Sequence, residues 1–159
     1  MSHRIKEIRA REILSTGSFP TIETKVILEN GVEGVAASPF GSSAGAYEPV
    51  TLVDEDPKRY HGLGMLKAIN NVTTKIAPVL VGIDVADQER IDRIMRDLDG
   101  TQNLSKLGGN SVLGVSLACA RAASKAQGQQ LFRYLRPMFH IDGEVRMPQP
   151  MIVLIEGGK

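Results

Sequence analysis

One cluster concentrates the residues suited to chemistry: Pro39-Phe40-Gly41-Ser42-Ser43-Ala44-Gly45. Gly41 and Gly45 tolerate backbone angles closed to other residues, so the chain there can hinge or approach a ligand closely. Ser42 and Ser43 add neutral oxygen donors. Successive N–H groups in such a stretch can cradle an anion, but no Lys-Ser or Lys-Thr follows Gly45, which excludes a Walker-type phosphate loop. By composition alone the cluster is a surface loop. Asp97 and Asp99 look at first like a pair of catalytic carboxylates. At the end of a helix, however, residues two apart point in different directions, and capping or solvation accounts for both. His3, His61 and His140 share no spacing that places two of them on one helical face toward a metal. Cys119 is the only cysteine, so no internal disulfide can form, and its apolar helical setting makes it a small buried hydrophobe rather than a reactive thiol.

The elements that must carry these residues follow from pattern. Residues 21–29 alternate, with Ile22, Val26 and Leu28 on one face and Glu23, Lys25 and Glu29 on the other, the period of a half-buried strand. Asn30-Gly31 suits a type I′ turn, which predicts that residues 32–38 return antiparallel. Residues 4–14 also read as extended, giving a three-stranded meander. From 39 to 57 glycine, serine and proline interrupt any apolar period, and a long loop is expected.

Helical spacing then takes over. Leu66, Ile69, Val72 or Thr73, and Ile76 form a stripe expected to stop before Pro78, whose ring and missing N–H oppose continuation. Ile91, Ile94, Met95 and Leu98 mark a second helix, with Asp84 as its expected cap and Gly100 just past its end. Residues 110–125 are small or apolar nearly all round, as in a helix approached closely on several sides. A short helix over 130–135 is expected to end at Pro137. Strands followed by helices predict an α+β fold: a three-stranded antiparallel meander followed by a helical subdomain. Residues 151–155 form a continuous apolar run between Pro150 and Gly157, the pattern of a fully buried strand of a parallel sheet.

Length and composition bound the alternatives. A chain of 159 residues holds one ordinary domain and a short appendage. Its 42% hydrophobic and 23% charged residues are those of a globular protein. A net charge of +1 offers no broad basic surface, so no nucleic-acid partner is expected. The chain has no apolar run of the roughly 18 residues a membrane span needs, and no membrane partner is expected. Charges at Arg4, Lys6, Glu7, Arg9, Arg11 and Glu12 leave no apolar stretch for a secretory signal, so the expected location is cytoplasmic.

Several ordered blocks together resemble the enolases. They are Asp97-Leu98-Asp99-Gly100-Thr101-Gln102-Asn103 followed by Ser105-Lys106-Leu107-Gly108-Gly109-Asn110, Val115-Ser116-Leu117-Ala118 and the alanines up to Ala123. Others are Arg11-Glu12-Ile13-Leu14 with Pro20-Thr21-Ile22-Glu23, the stretch 64–71, and the terminal stretch 147–158. The resemblance implies an N-terminal capping domain over residues 1–140. Residues 141–159 would be a linker and the first strand of a (β/α) barrel that lies outside this sequence. It also implies the chemistry of an enolase-type lyase, conversion of 2-phosphoglycerate to phosphoenolpyruvate and water in glycolysis. Mg²⁺ is the implied cofactor, and the barrel supplies the carboxylate ligands and the catalytic base. No catalytic residue is therefore expected within these 159 residues, nor a fully ligated metal.

The loop resembles the family's mobile active-site loop, usually Pro-Ser-Gly-Ala-Ser-Thr-Gly. Ser43 then corresponds to a contact with a second Mg²⁺, conditional on a barrel, and Gly41, Ser42 and Gly45 to the rest of that loop. Phe40 and Ala44 stand where the usual form carries hydroxyls. Ser15-Thr16-Gly17-Ser18-Phe19 stands where enolases commonly carry Asp-Ser-Arg-Gly-Asn. Arg11 and Glu23 match positions of intersubunit ion pairs in the family's dimer, which implies a homo-oligomer or a missing C-terminal barrel as partner. Glu156-Gly157-Gly158 replaces the family's Asn-Gly-Gly. Two functions remain open at this point: the capping part of an enolase-type lyase, inactive as this chain alone, or a free-standing non-catalytic module that acts through protein association.

Overall fold

A computed structural model describes residues 3–41 and 45–154. The sheet is a meander of β1 (Ile5–Leu14), β2 (Pro20–Leu28) and β3 (Glu33–Ala37), in the order β1-β2-β3 and antiparallel throughout. Its inner face carries Ile8, Ile22, Val26, Leu28 and Ala36, all buried, as the alternation of β2 predicts. Full burial of a side chain such as Ile22 or Leu28 is worth about 1.5–3 kcal/mol.

The β2–β3 turn differs from the expected type I′. Gly31 takes a positive φ of 83° while Asn30 does not, and the N–H of Gly31 bonds back to the carbonyl of Leu28 at 2.9 Å. The N–H of Leu28 in turn bonds to the carbonyl of Val32 at 2.9 Å. This is a three-residue loop, an ordinary turn followed by one left-handed glycine. The Asn30 side chain stabilises it by accepting from the N–H of Val32 at 3.1 Å.

Beneath the sheet lie α1 (Leu66–Asn71), α2 (Ala77–Leu80), α3 (Gln88–Asp99), α4 (Gly109–Ala126) and α5 (Leu131–Leu135). Pro78 does not end the first helical stripe as expected. A π-helical turn over Val72–Ile76 joins α1 to α2, and Pro78 sits in the first turn of α2, directly after that wider turn. The wider turn disturbs the carbonyl ladder, and Thr74 compensates by donating its hydroxyl to the carbonyl of Asn70 at 2.7 Å. Similarly, Pro137 does not stop the chain after α5, which tightens into a 3₁₀ turn over Arg136–Phe139.

Helix α3 is capped by Asp87, which accepts from the N–H of Arg90 at 3.3 Å, not by the expected Asp84. Asp84 lies too early, in a segment held extended against the N-terminus by Ile5 N–H to Ile83 O (2.9 Å) and Val85 N–H to His3 O (3.0 Å). Gly100 closes α3 in the left-handed conformation (φ 66°), as its position predicts.

Helix α4 is the central beam. Its small residues let it lie directly on β3: a Cβ added to Gly34 would come within 2.1 Å of the carbonyl oxygen of Ala118. From the same helix Arg121 donates to the carbonyl of Val35 (3.2 Å) and Lys125 to that of Glu33 (2.9 Å). These cations occupy edge acceptors of β3 that could otherwise recruit a further strand.

The apolar run at 151–154 forms no strand. Its side chains stand exposed, Met151 at 97% and Leu154 at 90%. Among the described residues no parallel strand lies beside them to satisfy the backbone. Ile155 lies outside the described residues.

Candidate functional site

The 39–45 loop leaves the sheet at the end of β3, and both of its stems are fixed to the first turn of α4. On the incoming side Ser38 is buried. Its N–H bonds to the carbonyl of Ile22 at 3.0 Å, its carbonyl accepts from the Thr21 hydroxyl at 2.5 Å, and its own hydroxyl donates to the carbonyl of Asn110 at 2.6 Å. On the outgoing side the Asn110 amide pairs with the backbone of Leu52. Oδ1 accepts from the N–H at 3.1 Å and Nδ2 donates to the carbonyl at 3.1 Å. The N–H of Gly109 reaches the carbonyl of Val50 at 2.7 Å, and the N–H of Val50 reaches the carbonyl of Asn103 at 2.9 Å. A Cβ at Gly109 would lie 2.6 Å from the Pro49 ring, so this close approach requires glycine.

Between these stems an open cleft of about 930 Å³ runs along α3 and α4, with Phe40, Pro49, Val50, Leu104 and Leu113 among its apolar walls and Asp92, Arg96 and Ser116 at a polar end. Gly41 lines this cleft. Gly45 begins a turn in which the N–H of Glu48 bonds to its carbonyl at 3.1 Å. Ser42 and Ser43, the loop's two candidate donors, lie outside the described residues. Among the described residues no three His, Cys, Asp or Glu side chains come together as a metal site. The described residues therefore do not by themselves form a complete cradle for the Mg²⁺ that the resemblance implies.

A second anchored segment follows the loop. Arg59 pairs with Glu12 of β1 and, at 3.2 Å, with Asp54. Glu12 also accepts from the N–H of Met65 at 2.7 Å. Asp54 accepts from the N–H groups of Leu66 (3.0 Å) and Lys67 (2.7 Å), which caps α1. The hydrogen bond to Glu12, then the nearby carboxylate charges, hold the Arg59 guanidinium even more firmly protonated than usual, against the opposing effect of burial. A left-handed turn at Tyr60 (φ 47°), His61 (φ 54°) and Gly62 (φ 90°) bends the chain back toward α1.

Asp99 is fully buried and is a structural carboxylate, as the helix-end reading holds for the pair. It accepts from the N–H groups of Thr101 (3.1 Å), Lys106 (3.1 Å) and Leu107 (2.7 Å) and from the Thr101 hydroxyl. Asn71 takes the other polarity of the same segment, donating to the carbonyls of Lys106 (3.1 Å) and Leu107 (3.0 Å). Burial pushes the Asp99 carboxyl up, but these hydrogen bonds outweigh it and hold the group below the ordinary value of 3.8. Cys119 is fully buried and its thiol is pushed up to about 12, chiefly by desolvation, so it is inert in the folded protein.

Arg11 and Glu23 face each other across β1 and β2, and Arg11 Nε lies 2.7 Å from Glu23 Oε1. Arg11 is largely exposed, so the pair contributes little to stability by itself. Ser38 and Asn110, which fasten the loop, are not singled out as functional by sequence. The available signal is Asn110 directly after Gly108-Gly109 at a helix start, where a side-chain amide can reach a neighbouring backbone.

A three-stranded antiparallel meander backed by helices defines an α+β domain, with the chain on either side of residues 42–44 fastened to the first turn of α4. A family model described as "Enolase, N-terminal domain" matches residues 5–135, and the chain belongs to this family. It is an enolase-type protein, and domains of this family fit assembly with other chains. Among the described residues no helix is long and apolar enough to cross a membrane.

Proposed function

We propose that this chain is the capping part of an enolase-type lyase that converts 2-phosphoglycerate to phosphoenolpyruvate and water in the cytoplasm. The observation that carries the reading is the match over residues 5–135 combined with the position of Pro39, Phe40 and Gly41, the described start of the 39–45 loop, on the wall of the cleft. In this reading a bound Mg²⁺ would supply the positive charge that balances negative charge on the substrate. Its carboxylate ligands and the catalytic base belong to a (β/α) barrel. Residues 1–140 cap that barrel, and residues 141–159 lead into it. Gly41, Ser42, Ser43 and Gly45 form the loop facing the substrate, with Ser43 the contact to a second Mg²⁺. Arg11 and Glu23 exchange their mutual ion pair for partners on a second subunit. The 159-residue chain alone is expected to form no phosphoenolpyruvate with excess Mg²⁺, followed by the ultraviolet absorbance of the enol phosphate; turnover by the purified chain would overturn the reading.

A second reading draws on the exposed Met151, Ile152, Val153 and Leu154 side chains. A contiguous apolar segment in water favours association, and a non-catalytic module could use it to bind a protein partner. The intact mass of the native protein separates the two: a polypeptide long enough to include a barrel supports the lyase, and one of 17.2 kDa supports the module.

A further inference from the structure

Phe19 lies in the turn between β1 and β2, and Phe40 follows the end of β3. In the folded chain they meet. Their rings stack with centroids 4.7 Å apart and an interplanar angle of 15°. Phe19 belongs to the β1–β2 turn, which is closed by Ser15 N–H to Phe19 O at 2.8 Å and Ser18 N–H to Ser15 O at 2.9 Å. Ser18 adopts a left-handed φ of 62°, and a Cβ on Gly17 would sit only 3.3 Å from the Phe19 ring, so the turn wraps closely around that ring. Phe40 is the second residue after buried Ser38 and packs against the edge of the core. Both rings line a depression of about 560 Å³ between the turn and the loop stem, together with Ile13, Leu14 and Ala37.

We propose that Phe19 and Phe40 form an aromatic clasp that fixes the Pro39–Gly41 stem to the β1–β2 turn, making them a coupled pair of positioning residues. Among the described residues the hydrogen bonds that hold the stem end at Ser38; beyond it, the ring stack adds to the contact of Phe40 with the core in tying residues 39–41 to the sheet. Stacked aromatic pairs contribute beyond simple area burial. Phe19 is 41% exposed even with the stack in place, so without its partner it would be a large ring on an open surface. The inference concerns described residues and does not depend on the proposed lyase reading.

Amide hydrogen exchange of the full chain tests it. F19A and F40A are each expected to speed exchange at the hydrogen-bonded amides of Ser15, Ser18 and Ser38 by about 2- to 10-fold, the range that a stacked pair supports. Core amides such as Val26 stay unchanged. In the double variant the rates should equal those of either single variant, since one clasp can be opened only once. F40Y should retain protection, whereas F40L, which keeps apolar contact without a ring face, should behave as F40A. The proposal is overturned if the single variants leave these rates unaltered, if the effects multiply in the double variant, if F40L restores protection, or if the acceleration spreads evenly through the core.

Discussion

A buried carboxylate survives only if its lone pairs are filled, and Asp99 fills them with three backbone N–H groups and one hydroxyl. Replacing it by Asn turns part of an acceptor into a donor facing other donors. The D99N variant should lose about 2–3 kcal/mol of unfolding free energy, the worth of hydrogen bonds to a charged group together with the unsatisfied polar atoms left behind. The sign of its pH dependence follows from the lowered folded-state value. Above the ordinary value of 3.8 the stabilisation is fully present, and it disappears as pH falls through the lower value of the folded protein. Urea titrations between neutral pH and strong acid should therefore show wild type losing its advantage over D99N only in the most acidic range. An advantage that faded well above the ordinary carboxylate range would contradict the assigned hydrogen bonds. At the same scale, sequence indicates that Asp99 caps rather than catalyses, but not which amides it caps. The chain reversal at Gly100 and the left-handed Leu104 (φ 55°) that bring residues 106 and 107 back to it have no local periodic signature.

Elements meet here through absent side chains. Helix α4 reaches β3 because Gly34 has no Cβ: one added there would stand 2.1 Å from the Ala118 oxygen and 2.4 Å from the Ala122 nitrogen, both backbone atoms that cannot swing aside. G34A should then cost about 3 kcal/mol, the upper part of the range for overpacking a core, measured as a fall in urea midpoint. A near-neutral effect would mean that α4 is free to move off the sheet. The small-residue pattern of 110–125 announces close packing, and the alternation of β2 announces the face that receives it. The π-helical turn before Pro78 is not legible, because sequence marks the proline but not the neighbouring hydroxyls of Thr73 and Thr74 that satisfy the disturbed carbonyls. The turn at Asn30-Gly31 departs from expectation for a related reason. Asn-Gly permits two positive φ angles but does not require them, and the Val32 N–H bond to the Asn30 side chain favours the alternative.

The whole molecule divides into a tied part and an untied one. Its core runs from Ile5 to Tyr134, and Arg136 adds the last cross-ties by donating to the carbonyls of Ile141 (3.1 Å) and Gly143 (2.6 Å). Beyond this, described residues 144–154 are exposed throughout, and the Arg146–Glu144 contact among them is a solvated surface pair. The apolar run at 151–155 is legible as a strand-forming segment, yet a strand is defined by its neighbours, and none of the described residues stands beside it. A protein ending at Gly143 should therefore unfold with the full chain's urea midpoint, within about 0.5 kcal/mol as for other surface changes. Its m value should also be unchanged, because m follows the surface exposed on unfolding and residues 144–154 are exposed already. A loss of about 1 kcal/mol or more, or a clear fall in m, would show that the segment packs on the domain in solution, and the proposed boundary at residues 140–141 would have to move toward the C-terminus.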